Sequence, residues 1–173
     1  EHYKELDAAY KRKQTLKWRS FWCVFALAVL AGAGAMGFYL AEKNVNVVNG
    51  LALGCDTEAL KGTIAGGGRC IGILPAGLDD ILPKSNQKLA DEIVMKDGCL
   101  ISEYPVGTPV KKYQYVRRDR LQSGLSDGVL IVEAEEQSGT MHTVEFAQNQ
   151  YKRIACYYHK LVELSSGNRK LEE

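Results

Sequence analysis

An α/β fold of three layers around a mostly parallel sheet is what this sequence predicts, and three observations carry the prediction. Short apolar runs bounded by Asn, Gly and Pro recur from residue 44 onward. Helix-forming segments of roughly ten residues separate them, the alternation expected of βαβ units. Glycines (Gly50, Gly54, Gly77, Gly107) follow the apolar runs, where a chain leaving a strand must turn tightly or approach a ligand.

Taken in order, "EHYKELDAAYKRKQTLKWR" (1–19) is a polar helix or arm, with Lys4, Lys11, Arg12, Lys13, Lys17 and Arg19 outnumbering its acids. "NVNVVNGLAL" is a buried strand, its valines bounded by Asn and Gly. "DTEALKGTIAGGGR" is a short helix that starts on an Asp or Thr cap and stops at glycines. "CIGILPAG" is the next strand. "SNQKLADEIVMKDG" is an amphipathic helix with Leu89, Ile93 and Val94 on one face, and "CLISEYP" is a strand. "RRDRLQSGLSDG" is helical and "VLIVEAE" apolar; "SGTMHTVEFAQNQY" begins with a Ser138 or Thr140 cap, and "RIACYY" closes as a strand. Residues 20–165 thus read as one domain, and 166–173 as a frayed, charged tail.

With 173 residues the chain has core enough for one domain without staples. The formal net charge of +1 hides local basic character at residues 1–19 and at Lys111–Arg120, which suits a polyanion-binding edge. Five cysteines are widely spaced with no C-x-x-C, and three histidines form no cluster. No metal site and no cofactor is predicted, and a reducing, cytoplasmic setting suits the free thiols.

"NGLALGCDTEALKG", "GGGRCIGILPAGLDDILPKSNQKLADEI", "GCLISEYPVGTP" and "RRDRLQSGLSDGVLIVEAEEQSGT" follow one another in an order that resembles the DprA/Smf DNA-processing family. That family lies within a Rossmann-like superfamily that also holds LOG-type nucleotide phosphoribohydrolases. The resemblance implies a Rossmann-like domain that binds single-stranded DNA through its phosphates, without catalytic residues, and cooperates with a RecA-type recombinase in the uptake of transforming DNA. By position it implies phosphate contacts from Lys61 and Gly62, in the family's H-K/R-G turn, and from Arg118 and Arg120, in its R-N-R motif. Ser138, Gly139 and Thr140 match its S-G-S/T turn. The residues suit the task on their own chemistry: Arg and Lys neutralise phosphates and release counterions, and a helix start offers free N–H groups to an anion. Tyr113 and Tyr115, interleaved with Lys111, Lys112 and Arg117, have the pattern of a platform for unpaired bases.

The sequence departs from the family at several points. Leu60 replaces a histidine, Asp119 replaces the amide of R-N-R, Tyr115-Val116 replaces an aromatic-Pro pair, and Tyr157-Tyr158-His159 replaces V-P-G. Asp119 either repels phosphate or holds an arginine in a salt bridge. The G-S-R that ends the family's first strand is absent, and the run Ser20–Leu40 stands where it belongs. One reading of that run takes Cys23–Leu30 as the first strand, Gly32–Gly37 as its turn and Ala35–Lys43 as a short helix. A second makes it a membrane anchor, since it is uncharged and follows Trp18 and a basic cluster. A third takes Gly32-x-Gly34-x-x-Gly37 as a dinucleotide turn, although no acid ends the next strand to hold a ribose.

Two functions of different class are therefore expected to compete. One is a single-stranded DNA-binding protein of DNA recombination and transformation, cytoplasmic or tethered through 20–40, with a homodimer left open. The other is a LOG-like nucleotide-binding or nucleotide-hydrolysing protein with Glu145 as its acid–base residue, two positions later than the motif places it.

Overall fold

The strands are short, and the first two run inward because their residues leave them little alternative: Val47-Val48 and Ile71 to Ile73 are β-branched or apolar at nearly every position. The computed structural model describes residues 29–157 and 165–172. In it a first helix, α1, occupies residues 29–42. There follow β1 (Val47–Asn49), α2 (Cys55–Ala65), β2 (Cys70–Ile73), a 3-10 turn at Lys84–Asn86, α3 (Gln87–Met95) and β3 (Cys99–Ile101). The second half adds α4 (Lys112–Gly124), β4 (Gly128–Ile131), α5 (Thr140–Asn149), β5 (Arg153–Cys156) and α6 (Ser166–Glu172). Every paired strand is parallel, as the alternation of strand and helix requires.

The pairing is divided. β1-β2-β3 form one sheet and β4-β5 another. Among the described residues no strand joins β1 to β4. The strand expected at Cys23–Leu30 falls outside the described residues up to position 28, and residues 29 and 30 are already helical. The two sheets carry separate apolar cores. Leu51, Leu60, Cys70, Leu74, Ile81, Leu89, Ala90 and Ile93 bind α2 and α3 to the first sheet. Ile131, Ala134 and Val144, with Val129, Met141, Ile154 and Leu171 against them, bind α5 and α6 to the second. A buried leucine lost to alanine in either core costs about 2–5 kcal/mol.

The expected glycine turn at Gly32–Gly37 is instead helix. Surrounding alanines favour helix, and the glycines' cost of about 1 kcal/mol each is met by packing. α1 runs parallel to α2 at backbone contact distance. A Cβ at Gly37 would overlap the Ala59 carbonyl, one at Gly62 would overlap the Gly34 carbonyl, and one at Gly66 would lie 2.8 Å from the Ala41 Cβ. Thr63 Oγ1 donates to Gly37 O at 3.3 Å across the seam. Leu30 lies beside Gly54, after β1, and Gly32 lies beside the Tyr157 ring, after β5, so the first described turn of α1 touches both halves of the domain. The dinucleotide reading loses its turn, and the second half of the apolar run packs on α2. Among the described residues no helix is long and apolar enough to cross a membrane.

The tail is also ordered as far as residue 172. Residues 166–172 form α6, with Gly167 and Asn168 buried. Arg169 and Lys170 are exposed while Asn168 and Leu171 face in, a division too short to register as periodicity.

Candidate functional site

Ligands of parallel α/β sheets bind beyond the carboxyl ends of the strands, beside helix N-termini. In this molecule that edge is built from the loops after β1, β2, β3 and β4. They differ sharply in how their polar groups are used.

After β1 the chain makes a hard turn, with Leu51 at φ 58° and Gly54 at φ 91°. It is braced by buried polar groups. Asp56 Oδ2 accepts from Gly50 N at 3.2 Å and Ala52 N at 3.3 Å, so a carboxylate of the chain itself occupies N–H groups that an anion would otherwise use. Asn49 donates to Asp56 O and accepts from Leu51 N, Thr57 donates to Ala52 O, and Asn86 donates to both Leu51 O and Thr57 Oγ1. Burial pushes the Asp56 carboxyl up, against the pull of the backbone donors and of Arg118.

Arg118 is 7% exposed and reaches from α4 to this turn. Its Nη1 donates to Ile73 O at 3.1 Å, at the end of β2. Its guanidinium lies directly over Gly50, where any Cβ would overlap it. Its Nε sits 3.2 Å from Asp119 Oδ1, an ion pair not aligned as a hydrogen bond, and the Tyr115 ring lies 5.8 Å away. Of the two roles open to Asp119, the salt bridge is the one realised. Burial pushes Asp119 to about 6, with Arg118 and His142 pulling down, Asp56 pushing up, and a hydrogen bond from Gln122 pulling down. Arg118 therefore spends its charge inside the fold. Arg120 is half-exposed and pairs with Glu103 on the loop after β3.

Lys61 and Gly62 do not lie in a turn. They sit inside α2, where Lys61 pairs with Glu58 at 2.9 Å on the surface and Gly62 serves the seam with α1. Leu60, in place of the family's histidine, is fully buried in the first core, so this stretch packs inward. Tyr113 and Tyr115 are exposed in the first turns of α4, which begins earlier than the sequence suggests because Gln114 Oε1 accepts from Lys111 N. Lys111, Lys112 and Arg117 are exposed beside them, without an ion pair among the described residues.

The loop after β4 reverses the pattern. Glu133 is exposed at the surface yet pushed up by desolvation and by Glu135, and it raises Cys55 at the start of α2 in addition to that thiol's own burial. Beyond Glu133, Ser138, Gly139 and Thr140 lead into α5, as the sequence predicts. Ser138 O accepts from Met141 N at 3.1 Å, but the Ser138 hydroxyl is buried with no partner among the described residues. A buried hydroxyl without a partner is costly, and here it stands at a helix N-terminus, where N–H groups and the helix dipole favour an anion. Glu145 is exposed in the second turn of α5.

Sequence reasoning missed Asp56, Asn49 and Asn86, which hold the first turn, and Asn168, which holds the loop after β4. Asn at a strand end followed by Gly was the available signal for the first. Asn168, in a stretch read as tail, gave none. Among the described residues no group of His, Cys, Asp or Glu could hold a metal ion.

Known proteins place this arrangement. The sequence profile of the family described as DNA recombination-mediator protein A matches residues 31–173. Protein Smf of Escherichia coli is 38% identical over 115 residues, covering 66% of this chain and 31% of its own length. DNA processing protein DprA of Bacillus subtilis is 36% identical over 115 residues, covering 66% of this chain and 38% of its own. The match thus spans about a third of these relatives' lengths. DprA of Streptococcus pneumoniae superposes with a TM-score of 0.71 at 30% identity, over 83% of this chain and 50% of that one. DprA of Helicobacter pylori, a structure described in terms of a unique single-stranded DNA binding mode, superposes with a TM-score of 0.75 at 30% identity, over 84% and 66%.

Proposed function

Since this chain belongs to the DNA recombination-mediator protein A family, we propose that it binds single-stranded DNA through the phosphate backbone, as a binding protein and not an enzyme. The observation that carries this reading is the buried Ser138 hydroxyl at the start of α5, without a partner among the described residues. A phosphate there would accept from the hydroxyl and from the N–H groups of the first turn. Lys111, Lys112 and Arg117, on α4 (with Lys111 its N-cap) packed against α5, supply charge not paired among the described residues, and Tyr113 and Tyr115 offer ring faces for bases. Arg120 contributes when it leaves Glu103. Arg118 supports the site from below and does not touch phosphate. Action in DNA uptake and recombination, with a RecA-type recombinase and in the cytoplasm, belongs to the same reading.

Binding of a fluorescent oligothymidylate to the full chain, titrated with salt, tests it. Affinity should fall with a log–log slope of about 0.7 per phosphate neutralised. Joint replacement of Lys111, Lys112 and Arg117 by Ala should reduce that slope by about two. Absence of binding at low salt overturns the proposal. Release of free base from a nucleoside monophosphate, lost on Glu145→Gln, would favour the enzyme instead.

A further inference from the structure

The loop that carries Ser138 has few hydrogen bonds of its own. Between Ile131 and Thr140 the backbone is irregular, and within it only Ser138 N to Glu135 O, at 2.9 Å, ties it locally before α5 begins. Ser138 O and Gly139 O accept from the first turn of α5, and the backbone of 132–136 bonds to the C-terminal segment, thirty or more positions away in sequence. Asn168 Oδ1 accepts from Ala134 N at 2.9 Å while Asn168 Nδ2 donates to Val132 O at 3.1 Å. Gly167 N donates to Ala134 O at 2.9 Å, and Ser166 Oγ accepts from Glu136 N at 2.9 Å. Ser165 Oγ adds a longer contact to Ala134 N, at 3.3 Å, and donates to Asn168 Oδ1 at 3.1 Å. Two side-chain links reinforce them, Ser166 to Glu135 and Lys170 to Glu136.

Backbone groups in a loop must find partners, and a loop that finds them in another element is ordered only while that element is docked. Asn168 is 2% exposed and uses both ends of its amide on the loop. Gly167 approaches so closely that a Cβ would lie 2.5 Å from Ala134 O. Leu171 anchors α6 in the same core as Ile131 and Val144, on β4 and α5. The contacts therefore bridge the two elements between which the loop is strung.

We infer that α6 is the clasp that holds the β4–α5 loop in its anion-binding shape, with Asn168 as the positioning residue through which it acts. This rests on the reading of the Ser138 turn as a phosphate site. Asn168 touches no ligand. It sets the backbone path from Val132 to Glu136, and hence where the Ser138 hydroxyl and the first N–H groups of α5 point.

The test uses the full chain and two independent measurements. Hydrogen exchange on Asn168→Ala should show amides 133–141 exchanging about tenfold faster, with β1, β2 and β3 unchanged. Affinity for oligothymidylate at low salt should drop about tenfold, and the salt slope by about 0.7, one phosphate contact. Asn168→Ala could unfold the second core, so Ser166→Ala serves beside it. That variant removes only exposed contacts, and should raise loop exchange about threefold while leaving the thermal midpoint in place. Unchanged loop exchange in both variants overturns the clasp, as does faster loop exchange with affinity and slope intact. Failure of the wild-type chain to bind the oligonucleotide strikes the DNA reading instead, and the exchange data still decide whether α6 orders the loop.

Discussion

The turn after β1 and the loop after β4 occupy equivalent places at the carboxyl edge of their sheets, yet one is closed on itself and the other is not. After β1, Asp56 fills the N–H groups of Gly50 and Ala52, and Arg118 closes over them between two carboxylates. After β4, the Ser138 hydroxyl has no partner among the described residues and the loop is held from outside by α6. The network after β1 satisfies nearly all of its own groups, Arg118 Nε excepted, and rigidifies the fold, whereas the hydroxyl after β4 has no partner among the described residues. Basic residues alone do not reveal this difference, because the most deeply placed arginine among the described residues belongs to the closed region.

Removing Arg118 should have the largest effect. Arg118→Ala leaves Asp56 and Asp119 buried without their cation, at a cost of about 3–5 kcal/mol. The loss should appear as a lower denaturant midpoint, with any change in DNA affinity following the folded fraction. An affinity loss in a fully stable variant would break the distinction between the two regions.

Gly62→Ala should come next, at about 1–3 kcal/mol, since its Cβ meets backbone of α1 that cannot rotate away. Urea unfolding measures the loss, and the DNA affinity of the molecules that remain folded should be unaltered.

Asp119→Asn sharpens the comparison through pH. Asp119 titrates at about 6 in the fold, above its ordinary 3.8, so between those values the folded state binds more protons than the unfolded one. Stability therefore falls as pH rises through roughly 4 to 6 and levels above. Asp56 and Glu133 are raised too and contribute with the same sign. The amide variant should lose part of that slope and be more stable at pH 7, as thermal midpoints across the range will show. A steeper slope would overturn the assignment.

Ser138→Ala has the smallest effect on stability and the most telling one. Deleting a hydroxyl that has no partner should leave stability unchanged or raise it by up to about 1 kcal/mol, while DNA affinity drops roughly fivefold. A loss of stability would mean the hydroxyl already has a structural partner.

Much of this architecture was legible in the sequence because it rests on local signals. Val-rich and Ile-rich runs ending in glycine gave β1 and β2, and a serine before a helical pattern gave the start of α5. What stayed hidden depends on tertiary neighbours. Gly34 and Gly37 look like a turn until Gly62 is placed beside them, since close helix packing and tight turns ask the same thing of a residue. Arg118 and Arg120 are two positions apart in one motif, yet Gly50 and Ile73 draw the first inward while Glu103 meets the second at the surface. Asn168 became visible only when α6 was docked against Val132 and Ala134.

The seam between α1 and α2 has a consequence for how this protein can change over generations. Every missense mutation at a glycine adds a side chain, so Gly37 and Gly62, where a Cβ would overlap backbone, have no harmless neighbours in sequence space. Side chains elsewhere in the core can be exchanged for others of similar volume, but here carbonyl meets α-carbon with nothing between to trade. Variation in this lineage should therefore collect on the outward face of α1, at Ala31, Ala35 and Tyr39, while the inward line stays fixed. Across related sequences, that alternation of frozen and free positions is the trace a buried helix crossing leaves in heredity.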